Sequence, residues 1–265
     1  MAEHAQIPYE LNPDRPSGAR AQNFLLGGSA NLASDRALAR RVLAVAPEIR
    51  LYALAGRACL HRVVRMCLAA GVRQFLDIGC GIPTDGNTHE IAQRAAPEAR
   101  VMYIDSEPVA VTHGELLLEG NPNAAIVRAD LRDTARVLTE TRRLLDLAQP
   151  VAVLMFSVLH FVPEEDDPAA LLTRYLDAVP SGSYLALTHL TADHAPETMR
   201  AVFALLQESQ LPGTPRSRAA LEKLLAHLDL LEPGIVPITE WRPDPADPEL
   251  KLTRPLGYAA VARKP

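Results

Sequence analysis

The chain carries no excess of positive charge. Its 265 residues hold 27 Lys and Arg against 32 Asp and Glu, a formal net charge of -5. Proteins that grip nucleic acid through its phosphates show a basic footprint, so bulk nucleic-acid binding is not expected. Arg40, Arg41, Arg62 and Arg65 form a local cluster on helical stretches and read as a solvated face. No run of 18 apolar residues exists, so no membrane span is expected. Met1–Asn12 lacks the apolar centre of a secretory leader, which points to a cytoplasmic protein. Cysteine is scarce: Cys59, Cys67 and Cys80 include no CxxC pair, so neither a disulfide framework nor a structural zinc site is expected. Cys59 and Cys67 lie in a helical pattern and read as buried apolar fillers. His89-Glu90 begins like HExxH, but Gln93 stands where the second metal ligand would be.

What is present is an ordinary globular composition, 48% hydrophobic and 22% charged, with 22 prolines. Residues 13–70 read as helical. Ser17 caps a helix through Leu26 that Gly27-Gly28 stop, and Ser34 caps a second with Leu38, Val42 and Val45 on one face. Ile49 to Ala70 forms a longer periodic stretch closed by Gly71. From Arg73 the rhythm changes. Apolar runs at Gln74–Ile78, Arg100–Ile104, Ala125–Ala129, Val151–Phe156 and Tyr184–Thr188 alternate with helical stretches, the pattern of a parallel sheet with right-handed crossovers. Pro196–Ser209 and Ser217–His227 read as helices. Ile235–Thr239 and Gly257–Arg263 then read as an antiparallel hairpin at the sheet edge, joined through Pro243, Pro245 and Pro248. The organisation expected is a helical lid over residues 1–70 and one α/β domain over 71–265.

The first strand ends Asp77-Ile78-Gly79-Cys80-Gly81-Ile82-Pro83-Thr84. Glycines at a strand-to-helix turn let backbone approach a ligand. The second strand ends at Asp105, where an acid can bind both hydroxyls of a ribose. A dinucleotide loop would carry a third glycine, but Pro83-Thr84 stand there, and Asp77 would repel a pyrophosphate. A carboxylate there suits an ammonium and a sulfonium, so the pattern favours S-adenosylmethionine (SAM) over NAD.

The third strand leads to Asp130, which can accept from an adenine amino group while Leu131 packs on the ring; Asp133 is the better helix cap. The fourth and fifth strands end near His160 and His189. Imidazole titrates near neutrality, so these two are the candidates for a general base. His61, His113 and His227 lie in helical stretches and are given no role.

These residues resemble the actinobacterial S-adenosyl methyltransferase family first catalogued as a domain of unknown function. The resemblance runs nearly end to end, through Asn12-Pro13-Asp14-Arg15-Pro16, Leu25-Leu26-Gly27-Gly28, Gly79-x-Gly81-x-Pro83-Thr84 with Asn87 and His89, Ala129-Asp130-Leu131-Arg132 and Leu159-His160-Phe161. It implies a class I methyltransferase fold of Rossmann-like type, with a seven-stranded sheet whose last strand is antiparallel. It also implies cofactor contacts at Asp77, Gly79, Gly81, Thr84, Asn87, Asp105, Ser106, Asp130, Leu131, Phe156 and Ser157, and a covering lid carrying Arg20, Asn23 and Phe24. Gln22-Asn23 replace the Tyr-Asp the family commonly has before that aromatic. The expected function is SAM-dependent methyl transfer to a small-molecule acceptor, without metal. A SAM-binding regulator and an NAD-dependent oxidoreductase are the alternatives.

Overall fold

A computed structural model describes residues 12–245, 250 and 253–265. Residues 1–11, expected to carry no leader, and Pro248 lie outside the described residues.

Three helices precede the sheet. In α1 (Gly18–Leu25) the Ser17 hydroxyl accepts from the Arg20 N–H at 3.5 Å. Helix α2 (Ala33–Val45) starts two residues earlier than expected, which moves Ser34 inside the first turn. Leu32 takes the cap position, and the Asp35 carboxylate accepts the Leu32 N–H at 2.7 Å. The Ser34 hydroxyl instead donates to the Pro13 carbonyl. Leu38 and Val42 are buried as expected, but Val45, in the last position of the helix, is 40% exposed. Helix α3 (Ile49–Ala69) ends before Gly71, whose φ of 88° closes it.

Strands β1 (Gln74–Ile78), β2 (Arg100–Asp105), β3 (Ala124–Arg128), β4 (Ala152–Phe156) and β5 (Tyr184–Leu190) pair in parallel in the order β3-β2-β1-β4-β5. The crossovers contain α4 (Thr88–Ala95), α5 (Pro108–Leu117), α6 (Thr134–Thr141) and α7 (Pro168–Asp177); α8 (Pro196–Glu208) and α9 (Arg218–Leu224) follow β5. Alternate residues of each strand serve opposite faces. Phe75, Val101 and Leu154 join Val63, Val64 and Cys67 of α3 in one core, while Leu76, Met102 and Val153 join Leu171 and Leu172 of α7 in the other. Covering both faces explains why the strand runs are apolar throughout.

The expected antiparallel pairing at the sheet edge forms, with one outer segment more than expected from the sequence. Strand β8 (Gly257–Arg263) pairs antiparallel with β5 along its whole length, and so lies inside the sheet. Its outer side pairs with β6 (Asp229–Leu230) and β7 (Val236–Pro237), antiparallel to both. The outer strand is thus broken in two, giving eight strands among the described residues rather than seven. The break lies at Pro233-Gly234: Pro233 has no N–H to give a ladder, and Gly234 turns the chain at φ 85°. No helix among the described residues is long and apolar enough to cross a membrane.

Strand order reverses between β1 and β4. Open α/β sheets bind ligands at such a switch point, beyond the carboxyl ends of the strands.

Candidate active site

A cavity of about 820 Å³ opens at that place. It falls toward the upper end of the roughly 300–1,000 Å³ typical of ligand pockets. Its floor is the loops after β1, β2, β3 and β4, and α1, α2, α3 and α8 supply its walls. Helix α3 turns one stripe inward: Ile49, Tyr52, Ala53, Gly56, Arg57 and Leu60 recur at helical spacing.

The glycine loop is shaped for close approach. Gly79 and Gly81 hold φ of 70° and 69°, a region that side chains rarely adopt. A Cβ on Gly79 would lie 2.3 Å from the Val158 side chain, whereas one on Gly81 meets nothing within 4 Å. The Gly81 backbone therefore faces open cavity. Thr84 and Asn87, expected as cofactor contacts, do not line this cavity. They brace the loop instead: Asn87 accepts the Thr84 N–H at 3.2 Å and donates to Glu90, which accepts the Gly86 N–H. His61, given no role by sequence reasoning, donates from Nε2 to the Gly86 carbonyl at 2.8 Å.

Three carboxylates stand along the floor in different states. Asp77 is buried and accepts from the Thr88 hydroxyl at 2.6 Å. Burial raises its carboxyl to about 6, although the Thr88 bond and the Arg57 charge oppose this. Asp105 accepts backbone N–H groups from Gly81 and Glu107, both at 2.8 Å, and burial also holds its carboxyl above the usual range. Asp130 is half-buried and clasped by the Arg132 guanidinium, which lowers its carboxyl. Asp133 caps α6, accepting from Arg136. Ser106, Leu131 and Phe156 also line the cavity.

At the end of β4, Ser157 holds φ of 54°, a strained value for a non-glycine residue. It is held there by Thr188, whose hydroxyl accepts the Ser157 N–H at 3.0 Å, and by a hydroxyl contact with Tyr52 at 3.0 Å. Burial raises the Tyr52 phenol to about 12.

The structure separates the two histidines. His160 lines the cavity, is 3% exposed, and among the described residues has no hydrogen-bond partner at its buried Nδ1. Burial, then the neighbouring His189 and Arg216, hold its pKa well below the usual value. His189 is fully buried within β5, outside the cavity lining. Its Nδ1 donates to the Leu190 carbonyl and its Nε2 accepts from Arg216, so no lone pair remains for a substrate proton. Arg216 also donates to the carbonyls of Leu159 and Val162, and so fixes the segment that carries His160. No sequence motif marks Arg216.

In α1, Arg20 is buried and bonds Asp35 at 2.8 Å and Glu107 at 2.9 Å. It ties α1 both to α2 and to the loop after β2. Asn23 lines the cavity but accepts from Asn31 and packs under Gly28. Phe24 points away from the cavity lining, with the Arg40 guanidinium 5.8 Å from its ring centre. Arg62 is not a solvated residue: it is buried and donates to the carbonyls of Trp241 and Ile238. Among the described residues no cluster of His, Cys, Asp and Glu could hold a metal.

A family model described as S-adenosyl methyltransferase matches residues 4–265. The chain belongs to this family. A DUF574 family protein from Streptomyces avermitilis is 38% identical, with a TM-score of 0.91 over 96% of this chain and 100% of that one. A candidate methyltransferase from Thermobifida fusca is 36% identical, with a TM-score of 0.89 over 98% of this chain and 99% of that one. A SAM-dependent methyltransferase from Anabaena variabilis, 15% identical with a TM-score of 0.54 over 80% of this chain and 86% of that one, shares the fold. No curated protein matches. As a member of the S-adenosyl methyltransferase family, the chain is a SAM-dependent methyltransferase of class I fold. This selects SAM over NAD. The floor fits SAM chemically: a buried carboxylate at Asp77 suits an ammonium, one at Asp105 retains lone pairs for hydroxyls, and Gly81 leaves the loop open.

Proposed function

We propose that this methyltransferase modifies a small, mostly apolar acceptor carrying a hydroxyl, and that His160 takes the hydroxyl proton. The observation that carries this is the buried, unpartnered Nδ1 of His160 in the cavity wall. The same cavity has a large apolar share of its wall: Leu25, Leu38, Val42, Ile49, Val202 and Leu206. Buried polar atoms are normally paired, and no neighbour among the described residues claims this one, so the ring keeps a lone pair behind the cavity wall. The lowered pKa keeps the ring neutral at pH 7, with a lone pair to receive a proton.

SAM supplies an activated methyl group on a sulfonium. The chain's own residues hold and align the reactants, which can supply several kcal/mol. In this reading Asp77 holds the ammonium, Asp105 with Ser106 the ribose, and Asp130 with Leu131 the adenine. Gly79 and Gly81 let the backbone close on the cofactor in a loop shaped by Thr84 and Asn87. Phe156 and Ser157 border the sulfonium, and Arg20, Asn23 and Phe24 set the lid. A bond forms from acceptor oxygen to methyl carbon as the carbon–sulfur bond breaks, and the hydroxyl proton passes to His160. His189 serves by holding Arg216. The chain has three cysteines and no CxxC pair, which suits a reducing compartment, so we place the protein in the cytoplasm.

Incubation with SAM and a panel of phenols, alcohols and amines, read by mass spectrometry, tests this. The expected product is an O-methylated small molecule, with His160→Asn lowering turnover by about 10²-fold. Methylation confined to proteins or nucleic acids, or turnover indifferent to His160→Asn, would overturn it.

A further inference from the structure

Arg57 is the cation that the floor of the cavity leaves underused. It projects from the inward stripe of α3 into the cavity beside Asp77, Gly79 and Gly81. A guanidinium has five N–H donors. Among the described residues Arg57 makes one hydrogen bond, from Nη2 to the Thr84 hydroxyl at 2.8 Å. It forms no ion pair with Asp77, whose Oδ2 is taken by Thr88. Desolvation nevertheless lowers its pKa, while the charges of Asp77, Tyr103, Cys80 and Glu90 pull the other way. A desolvated cation with open donors in a cavity calls for an anionic group, and a planar fork matches a carboxylate.

We propose that Arg57 binds the α-carboxylate of the methionine half of SAM, opposite Asp77, which takes the α-ammonium. The inference rests on the cofactor reading above. Asp77 alone would accept any amine. Asp77 and Arg57 together recognise a zwitterion, the one feature that distinguishes SAM and its demethylated product from other adenosine thioethers. Thr84 then has a defined part as well: outside the cavity lining, it holds the guanidinium in place. Arg57 sits about one and a half turns beyond Tyr52, and both line the cavity, so the helix that borders the transfer site also seats the amino-acid tail.

The test is calorimetric titration of the full chain with three ligands: S-adenosylhomocysteine, its decarboxylated analogue, and methylthioadenosine, which lacks both charged groups. Wild type should prefer S-adenosylhomocysteine. Arg57→Gln should weaken it about 30-fold or more, the scale for losing one partner of a desolvated charge pair. The same variant should bind the decarboxylated analogue and methylthioadenosine within about threefold of wild type, which also shows that it is folded. Arg57→Lys keeps the charge without the fork and should fall between. Asp77→Asn should weaken the two amine-bearing ligands and spare methylthioadenosine. Equal weakening of all three ligands by Arg57→Gln, or no weakening of S-adenosylhomocysteine, overturns the carboxylate site alone. Wild type that binds none of the three overturns the cofactor reading and this site with it.

Discussion

Arg216 donates to Nε2 of His189 at 2.9 Å, inside a layer where His189 is fully buried. Burial, with Arg216 adding to it, holds the His189 pKa near 4, against 6.5 for the free residue. Between those values the unfolded chain takes up a proton that the folded chain refuses. The neutral ring's contribution is therefore complete above about pH 6.5 and is lost as pH falls toward 4. The linkage is worth about 3 kcal/mol at most. Urea unfolding should show stability falling across this window more steeply in wild type than in His189→Gln. Asp77 and Asp105 titrate in both proteins and cancel in the comparison, whereas His160, whose pKa His189 also lowers, adds to the difference in the same direction. Parallel slopes would sink the idea.

Gly79 and Gly81 share a backbone conformation but not surroundings, and their alanine variants should differ. Gly81→Ala carries only the cost of a left-handed residue, roughly 1–2 kcal/mol. Gly79→Ala adds a clash with Val158 at 2.3 Å and should cost roughly 1–3 kcal/mol more. Val158→Ala in the Gly79→Ala background should recover the clash part and leave the backbone part. Chemical denaturation of the four proteins gives both numbers, and an absence of recovery refutes the packing argument.

Much of this arrangement is legible in the sequence, because local signals coincide with long-range ones. Gln74–Ile78 is apolar, sits between breakers and ends in glycines, and β1 occupies those residues. Asp105 and Asp130 follow strand ends, and both reach the cavity. The outer strand is legible by half: Ile235–Thr239 reads as a strand and β7 lies within it, whereas Asp229–Leu230 has two residues, too short for any period to show. The histidines mark another limit. Spacing places His160 and His189 at neighbouring strand ends, but only packing decides that one ring meets the cavity and the other meets Arg216. Arg57 carries a faint signal, a charged residue on the inward face of a mostly apolar helix. Arg216 carries none, because its partners, His189, Glu164 and two backbone carbonyls, lie 27 to 57 residues away.

The lid depends on Arg20. Arg20→Met leaves Asp35, fully buried, without its counter-charge. Breaking a buried pair from one side costs about 3–5 kcal/mol. Asp35→Asn added to Arg20→Met should recover part of this, since only the part-exposed Glu107 then lacks its counter-charge. The Arg20 bond to Glu107 also leads to Asp105, because the Glu107 N–H donates to that carboxylate. Arg20→Met should therefore weaken S-adenosylhomocysteine binding as well. A loss of under about 1 kcal/mol in urea unfolding would mean that this pair does not anchor the lid.

Asp77 should make cofactor binding pH-dependent. Its carboxyl, raised by burial to about 6, must be ionised to hold an ammonium. Above that value the site is charged; as pH falls through it, the carboxyl protonates and the attraction is lost. From pH 7 to pH 5 the ionised fraction falls about tenfold, so the S-adenosylhomocysteine Kd should rise about tenfold. Methylthioadenosine, with no ammonium, should show no such rise. Thr88→Val removes the 2.6 Å hydrogen bond that favours the ionised form, and should move the transition to higher pH. Asp77→Asn should abolish the dependence and bind weakly at both values. Titration calorimetry at the two pH values, with both ligands, reads all of these. An equal pH dependence for the two ligands would remove Asp77 as its source.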